Sequence, residues 1–171
     1  DGNEATAGRT GPRFAEAFRK AGSAGLRRTV HAGESSGPEG VWDAVNLLGA
    51  DRIDHGVRAI EDPVLVQMLA DRQIPLGVCP TSNLVLGVYP SIEAHPIERL
   101  RQAGVRVSVN TDDPALLGAS LVGEYALCRR GFGWTDEVTR AVAHTSIDAS
   151  FANDDLKATL LDRLKVWRSD I

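Results

Sequence analysis

A regular alternation of strand-like and helical segments constrains the fold of this chain more than any other feature. Three apolar runs end at His31, His55 and Cys79, and the ends of successive runs are 24 residues apart. One strand, one helix and two short loops fill an interval of this length. Strands that alternate with helices in this way are typical of a parallel sheet covered by helices.

Hydrophobic periodicity predicts where these segments lie. Strands are expected over residues 26–31, 52–55, 74–79 and 105–110, and helices over 38–48, 61–71 and 92–103. After the fourth strand the pattern changes to helices alone, over 121–130, 135–144 and 154–166. Four strand–helix units amount to half of an eight-stranded barrel, and an open doubly wound sheet is the alternative. No Gly-x-Gly-x-x-Gly or Walker motif follows a strand, which argues against a nucleotide-phosphate fold.

Length and composition fit one ordinary globular domain. The 171 residues have 43% apolar content and a net charge of −4, with scattered Lys and Arg. We therefore expect no nucleic-acid partner, and no apolar run approaches the ~20 residues of a membrane helix. Cys79 and Cys128 form no Cys-x-x-Cys motif. Two buried thiols in a reduced, cytoplasmic compartment are expected, and one disulfide is the alternative.

Several polar residues follow the predicted strands, where barrel enzymes carry their catalytic groups. His31 is a candidate metal ligand, and Glu34 is a candidate general acid or base. Alternatively, His31 is structural, and Glu34 is a glutamate near the N-terminus of the next helix, where the helix dipole favours a negative charge. His55 is a candidate to orient or deprotonate a metal-bound water, or it packs at a tight turn. His95 and His144 lie away from the strand ends and are expected to be structural.

Two adjacent carboxylates, Asp112 and Asp113, follow the fourth predicted strand. Because adjacent side chains diverge, one is a candidate metal ligand and the other a candidate substrate contact. Alternatively, one of them caps the next helix. Ser82 and Asn83 follow the third strand and are candidates to support the metal ligands through hydrogen bonds, or they are simple loop residues.

Four motifs occur in order at the ends of these strands. They are Thr29-Val-His-Ala-Gly-Glu34, Arg52-Ile-Asp-His-Gly56, Val78-Cys-Pro-Thr-Ser-Asn83 and Val109-Asn-Thr-Asp-Asp-Pro114. Together they closely resemble the C-terminal half of the adenosine/adenine deaminase family, and the opening Asp1-Gly-Asn-Glu4 and residues 146–151 are similar to it as well. The resemblance implies an α/β fold: the C-terminal half of a (β/α)8 TIM barrel, with four parallel strands, helices outside and further C-terminal helices.

The resemblance also implies an activity, the zinc-dependent hydrolytic deamination of a 6-aminopurine. We expect adenosine as the substrate, and adenine and aminodeoxyfutalosine are the alternatives. Asp54 stands where adenosine deaminases often have glycine and is typical of the adenine-acting branch, whereas Thr111 is typical of the adenosine-acting branch. A metal hydrolase that cleaves an amide or ester, or a non-catalytic half-barrel module, would be a function of a different class.

By the same resemblance, each candidate residue has a role. His31 and Asp112 would bind Zn²⁺, and Glu34 would protonate the purine at N1 while water adds to C6. His55 would orient the zinc-bound water and help to deprotonate it. Asp113 would form a hydrogen bond with N7.

Two further contacts follow from the resemblance: the backbone N–H of Gly2 would meet purine N3, and Ser82 would support a metal ligand. The family's first strand carries a His-x-His pair that supplies two more zinc ligands, and no histidine precedes His31 here. We therefore interpret residues 1–171 as the C-terminal half of one barrel domain whose partner is the missing N-terminal half. Alone, the chain is expected to bind zinc poorly and not to turn over.

Overall fold

The part of the chain that the structure describes forms one sheet of four strands, as the sequence predicts. A computed structural model describes residues 11–167. The strands are β1 (Thr29–Ala32), β2 (Arg52–His55), β3 (Leu76–Val78) and β4 (Val107–Val109), in the spatial order β1-β2-β3-β4. β2 pairs in parallel with β1 and with β3. The predicted α/β class with a four-stranded parallel sheet is confirmed.

Nine α-helices and one 3₁₀-helix lie in the described residues. The α-helices are α1 (Gly11–Ser23), α2 (Pro38–Asn46), α3 (Pro63–Asp71), α4 (Pro80–Val85), α5 (Ile97–Gln102), α6 (Pro114–Leu117), α7 (Leu121–Phe132), α8 (Asp136–Asp148) and α9 (Asp154–Val166). The 3₁₀-helix spans Val57–Glu61. None of these described helices is long and apolar enough to cross a membrane.

The helix predicted over residues 92–103 is wrong in its first turn. The helix begins at Ile97, and a separate turn precedes it, closed by a hydrogen bond from the His95 N–H to the Ile92 carbonyl at 3.1 Å. Pro96 lacks the N–H that a helix begun at residue 92 would need at that position. The short helices α4 and α6 and the N-terminal α1 were not expected, and each of them begins at or near a Pro or Gly.

The chain divides into two compact units. Within the described residues, the first unit comprises 11–78 and 96–106, and the second comprises 79–95 and 107–167. The first unit buries the apolar faces of α2, α3, α5, β2 and β3, and its fully buried side chains include Val41, Ile53, Leu65, Leu76 and Leu100. In the second unit α8 packs on β4, and Cys128, Trp134 and Val142 are buried. Cys79 and Cys128 are buried thiols, as expected.

Candidate active site

The carboxylate of Glu34 lies between two imidazoles in the first unit. Its Oε2 is 3.4 Å from Nε2 of His31, and its Oε1 is 3.2 Å from Nδ1 of His55. The two imidazole rings are tilted by 47° with their centroids 4.5 Å apart. Only 6% of the Glu34 side chain and 4% of the His55 side chain are exposed, against 18% for His31. The structure therefore brings together three residues that the sequence singled out separately.

The backbone turns sharply where two of the candidate residues lie. His55 and Asp112 have φ values of 65° and 57°, in the left-handed region that residues other than glycine adopt rarely. Each follows or ends a strand, and each belongs to one of the family motifs. Local strain of this kind persists where the surrounding structure holds it and clusters at functional sites, so it supports a functional role for both residues.

The loop that carries Glu34 is held on both sides by one residue. The backbone N–H of Arg58 donates to the Gly33 carbonyl at 2.9 Å, and its Nη1 donates to the Ser35 carbonyl at 2.9 Å. The same guanidinium makes two hydrogen bonds to Glu61, at 2.7 and 3.0 Å. Arg58 was not a candidate at the level of the sequence, because a single exposed-looking Arg in a short helix carries no distinctive signal.

Close packing fixes Gly33 in the same loop. Its φ is +70°, and a Cβ added there would collide with a methyl group of Val41. Gly56, which follows His55, has a φ of +67°, and a Cβ there would lie 2.6 Å from Cδ2 of Leu76. Both positions require glycine, because L side chains meet a steric penalty at such a φ and no space is available.

In the second unit, Ser82 and Asp112 are in contact. The Ser82 hydroxyl donates to Oδ2 of Asp112 at 2.7 Å, and Ser82 is fully buried. Ser82 and Asn83 lie in α4, so the alternative that they are loop residues is wrong. Asn83 is buried and lies 3.1 Å from Nε2 of His95, which is also buried. This agrees with the structural role expected of that histidine.

Asp113 occupies the N-cap position of α6, but its side chain makes no capping hydrogen bond there. The alternative in which Asp113 is a helix cap therefore has no hydrogen bond to support it. Asp113 is exposed, and its predicted contact with the purine stays a prediction. Gly2, the other predicted substrate contact, lies outside the described residues.

The donor atoms of the first unit fit a zinc ion. His31, Glu34 and His55 each offer one ligand atom, and these atoms lie within 4.8 Å of one another. Imidazole nitrogen and carboxylate oxygen are ligands that Zn²⁺ takes readily. The sequence assigns Glu34 to proton transfer rather than to the metal, and a carboxylate beside two imidazoles is chemically suited to either role.

Glu124 is one of the buried acids that sequence analysis missed. It is 1% exposed and lies in the first turn of α7. A signal was available, because Glu124 and the buried Cys128 are four residues apart and so share one helix face. A charged residue on a buried helix face is unusual unless it is hydrogen-bonded.

Comparisons with known proteins agree with the resemblance noted in the sequence. The family model described as adenosine deaminase matches residues 1–167. The adenine deaminase of Rhizobium rhizogenes is 48% identical over 151 residues, which are 88% of this chain and 47% of that protein.

Solved structures match as well. The adenine deaminase of Arthrobacter aurescens superposes with a TM-score of 0.89 at 36% identity, over 92% of this chain and 48% of that one. An amidohydrolase from Burkholderia ambifaria with bound Zn superposes with a TM-score of 0.79 at 33% identity, over 89% of this chain and 45% of that one. Arabidopsis ADAL complexed with IMP superposes with a TM-score of 0.80 at 30% identity, over 89% of this chain and 44% of that one. The chain thus spans about half the length of the proteins it matches.

Proposed function

Because this chain belongs to the adenosine deaminase family, we propose that it is the C-terminal half of a zinc-dependent purine deaminase. Residues 1–171 would complete one barrel with an N-terminal half that carries the His-x-His zinc ligands. The reaction is hydrolytic: water adds at C6 of a 6-aminopurine, the C6–N bond breaks, and the products are the 6-oxopurine and ammonia.

In this proposal His31 and Asp112 hold the metal together with the His-x-His pair. When bound, Zn²⁺ would supply Lewis acidity that lowers the pKa of the attacking water to about 7. Imidazole and carboxylate ligands suit that ion. The hydroxyl of Ser82, 2.7 Å from the Asp112 carboxylate, restricts the rotation of that ligand.

The remaining steps are proton transfers by the residues of this chain. Glu34 donates a proton to N1, which draws electrons from C6 and favours addition there. His55 accepts a proton from the attacking water and is oriented for this by Glu34 Oε1 at 3.2 Å. His55 then passes this proton to the C6 amino group, which leaves as ammonia, while Glu34 recovers its proton from the C6 hydroxyl. Asp113 and the backbone N–H of Gly2 hold the purine at N7 and N3.

One observation carries the proposal: the buried carboxylate of Glu34 contacts the imidazoles of both His31 and His55. Glu34 and His55 are buried and His31 is partly buried. Burial of a charged group costs free energy unless it is compensated, so this grouping is not expected of a solvated surface. Proton transfer between a carboxyl group and a nearby base is the chemistry for which such a group is arranged.

Adenine is the substrate that the comparisons favour over the adenosine expected from the sequence. The relatives with 46% and 48% identity are named adenine deaminases, as is the Arthrobacter aurescens protein. Asp54 points the same way, because it is typical of the adenine-acting branch. Its carboxylate accepts a hydrogen bond from the Thr29 hydroxyl at 3.0 Å, and Asp54 is paired in register with His31.

The test is a deaminase assay on the full-length protein that contains this chain. With zinc present, adenine, adenosine and aminodeoxyfutalosine are supplied separately, and ammonia release is measured. We expect the highest kcat/KM with adenine, and no turnover with residues 1–171 alone. Full activity on adenosine with none on adenine would contradict the substrate assignment. A full-length protein that binds zinc but deaminates none of the three would favour the non-catalytic module instead.

A further inference from the structure

Glu124 is a buried carboxylate that the proposed reaction does not use. Its Oε2 accepts a hydrogen bond from the backbone N–H of Thr81 at 3.1 Å. Its Oε1 is buried and has no hydrogen-bond partner among the described residues. A carboxylate removed from water costs free energy unless its hydrogen bonds compensate. The hydrogen bond to the Thr81 N–H is the contact that offsets this cost for Glu124, so we infer that it has a structural role.

The Thr81 N–H belongs to the first turn of α4, where N–H groups have no helical acceptor. The N-cap residue, Cys79, makes no side-chain capping hydrogen bond, and Pro80 has no N–H to donate. Glu124 therefore caps α4 from another helix, α7. A cap of this kind fixes the start of α4 relative to α7, which a local cap would not do.

The next residue, Ser82, carries the effect to the candidate metal ligand. Ser82 is fully buried, and its hydroxyl donates to Oδ2 of Asp112 at 2.7 Å. A hydrogen bond from a hydroxyl to a carboxylate is short and sensitive to its geometry. A small shift of the first turn of α4 would therefore lengthen the bond that orients Asp112.

We propose that Glu124 is a positioning residue for the metal centre: it holds the first turn of α4 so that Ser82 keeps the Asp112 carboxylate oriented. The inference rests on the proposed function, because it takes Asp112 to be a metal ligand. Glu124 itself contacts neither the purine nor the metal in this account. Its influence passes through Thr81 and Ser82 alone.

A double-mutant cycle on the zinc-loaded full-length protein tests this. The variants are Glu124→Met, Ser82→Ala and the two combined, and the readout is the dissociation constant of Zn²⁺ from competition with a chromophoric chelator. We expect each single variant to weaken zinc binding by about tenfold, as is usual for residues that support a metal ligand. The double variant should match Ser82→Ala within about twofold, because both substitutions break the same connection.

Two further variants separate positioning from general stability. Glu124→Gln keeps an oxygen for the Thr81 N–H and should bind zinc within about threefold of the parent. Glu137→Met is the matched control, because it removes an exposed acid from the first turn of α8. It should change zinc affinity by less than about twofold. Should Glu124→Met not fold, Glu124→Ala replaces it in the cycle.

The outcomes distinguish this inference from the function on which it rests. Zinc affinity that is unchanged in Glu124→Met, or losses that multiply in the double variant, would overturn the role of Glu124 while leaving a zinc-dependent deaminase intact. A parent protein that binds no zinc would overturn both. A kcat for adenine that falls in parallel with zinc affinity, at constant KM, would support the positioning role further.

Discussion

Glu34 is the residue on which the proposed chemistry depends most, through its carboxyl group. It is buried, it contacts two imidazoles, and Arg58 binds the backbone on either side of it. A group held in this way loses little entropy when it transfers a proton, because its geometry is set before the substrate arrives. The same burial means that any replacement must preserve shape.

We expect Glu34→Gln to lower kcat for adenine by about 10² to 10⁴, the usual contribution of a general acid or base. The amide has nearly the same shape but cannot deliver the proton. Steady-state kinetics and zinc content check this, and zinc should remain bound if Glu34 is not a ligand. Glu16→Gln, on the exposed face of α1, is the control and should be silent. Loss of zinc with Glu34→Gln would place Glu34 among the ligands instead.

The candidate residues could be predicted from the sequence because each follows an apolar run at a parallel strand's carboxyl end. His31, His55 and Asp112 all lie at such positions. The roles of Arg58 and Glu124 could not be predicted, because they depend on which backbone groups approach the two side chains in three dimensions. The spacing of Glu124 and Cys128 indicates only that these two residues share a helix face. An Arg that binds a carbonyl, or a Glu that caps a different helix, leaves no periodic mark in the sequence.

At the scale of the element, the loop after β1 depends on Gly33. Its φ of +70° strains any L residue, and a Cβ would meet Val41. We expect Gly33→Ala to lower the free energy of unfolding by about 3 kcal/mol, of which about 1 comes from the backbone alone. Urea unfolding measures the change.

Gly25→Ala is the matched control for that substitution. Gly25 has a φ of +75°, but nothing lies within 4 Å of an added Cβ. Gly25→Ala should therefore lower the free energy of unfolding by the backbone contribution alone, about 1 kcal/mol. Equal losses at both positions would mean that the contact with Val41 relaxes freely, which would contradict the tight packing assigned to this loop.

The start of α3 has a titratable cap. Asp62 Oδ1 accepts hydrogen bonds from the N–H groups of Val64 and Leu65 at 2.9 and 3.2 Å, and Oδ2 accepts one from the Trp42 indole at 2.9 Å. The indole hydrogen bond, followed by those of the helix N–H groups, lowers the pKa of the Asp62 carboxyl below its ordinary value. The charged cap is therefore favoured in the folded protein.

This cap makes part of the stability depend on pH. Because the pKa is lower in the folded state, the stabilisation is complete above the unfolded pKa of about 3.9 and is lost as the pH falls through the folded pKa. Asp62→Asn keeps an oxygen at the N-cap but cannot titrate. We expect the difference in urea midpoint between parent and variant to be largest near neutral pH and to shrink in acid. A difference that grows on acidification would contradict the assignment.

Most elements could be predicted, and the errors have physical causes. In strands and long helices the apolar residues recur with a clear period. The elements β1 to β4, α2, α3 and α7 to α9 therefore lie close to their expected positions. The six-residue α4 and the four-residue α6 are too short to show a period. Pro96 moved the start of α5, because the ring removes a helical donor.

At the scale of the whole molecule, the central feature is that this chain matches about half of each relative. The match covers 92% of the chain and 48% of the Arthrobacter aurescens structure. A catalytic zinc site takes three protein ligands or more, and the sequence assigns only His31 and Asp112 to this role. We therefore expect full zinc affinity and turnover to require the His-x-His pair of the other half.

The most direct test of the proposed zinc site, with His31 and Asp112 as its ligands from this chain, is anomalous diffraction at the zinc edge from crystals of the full-length protein. We predict one zinc ion with His31 Nε2 at about 2.1 Å and the Asp112 carboxylate as a second ligand from this chain. The peak should disappear in His31→Ala. A zinc ion bound elsewhere, or one whose ligands include neither His31 nor Asp112, would contradict the account.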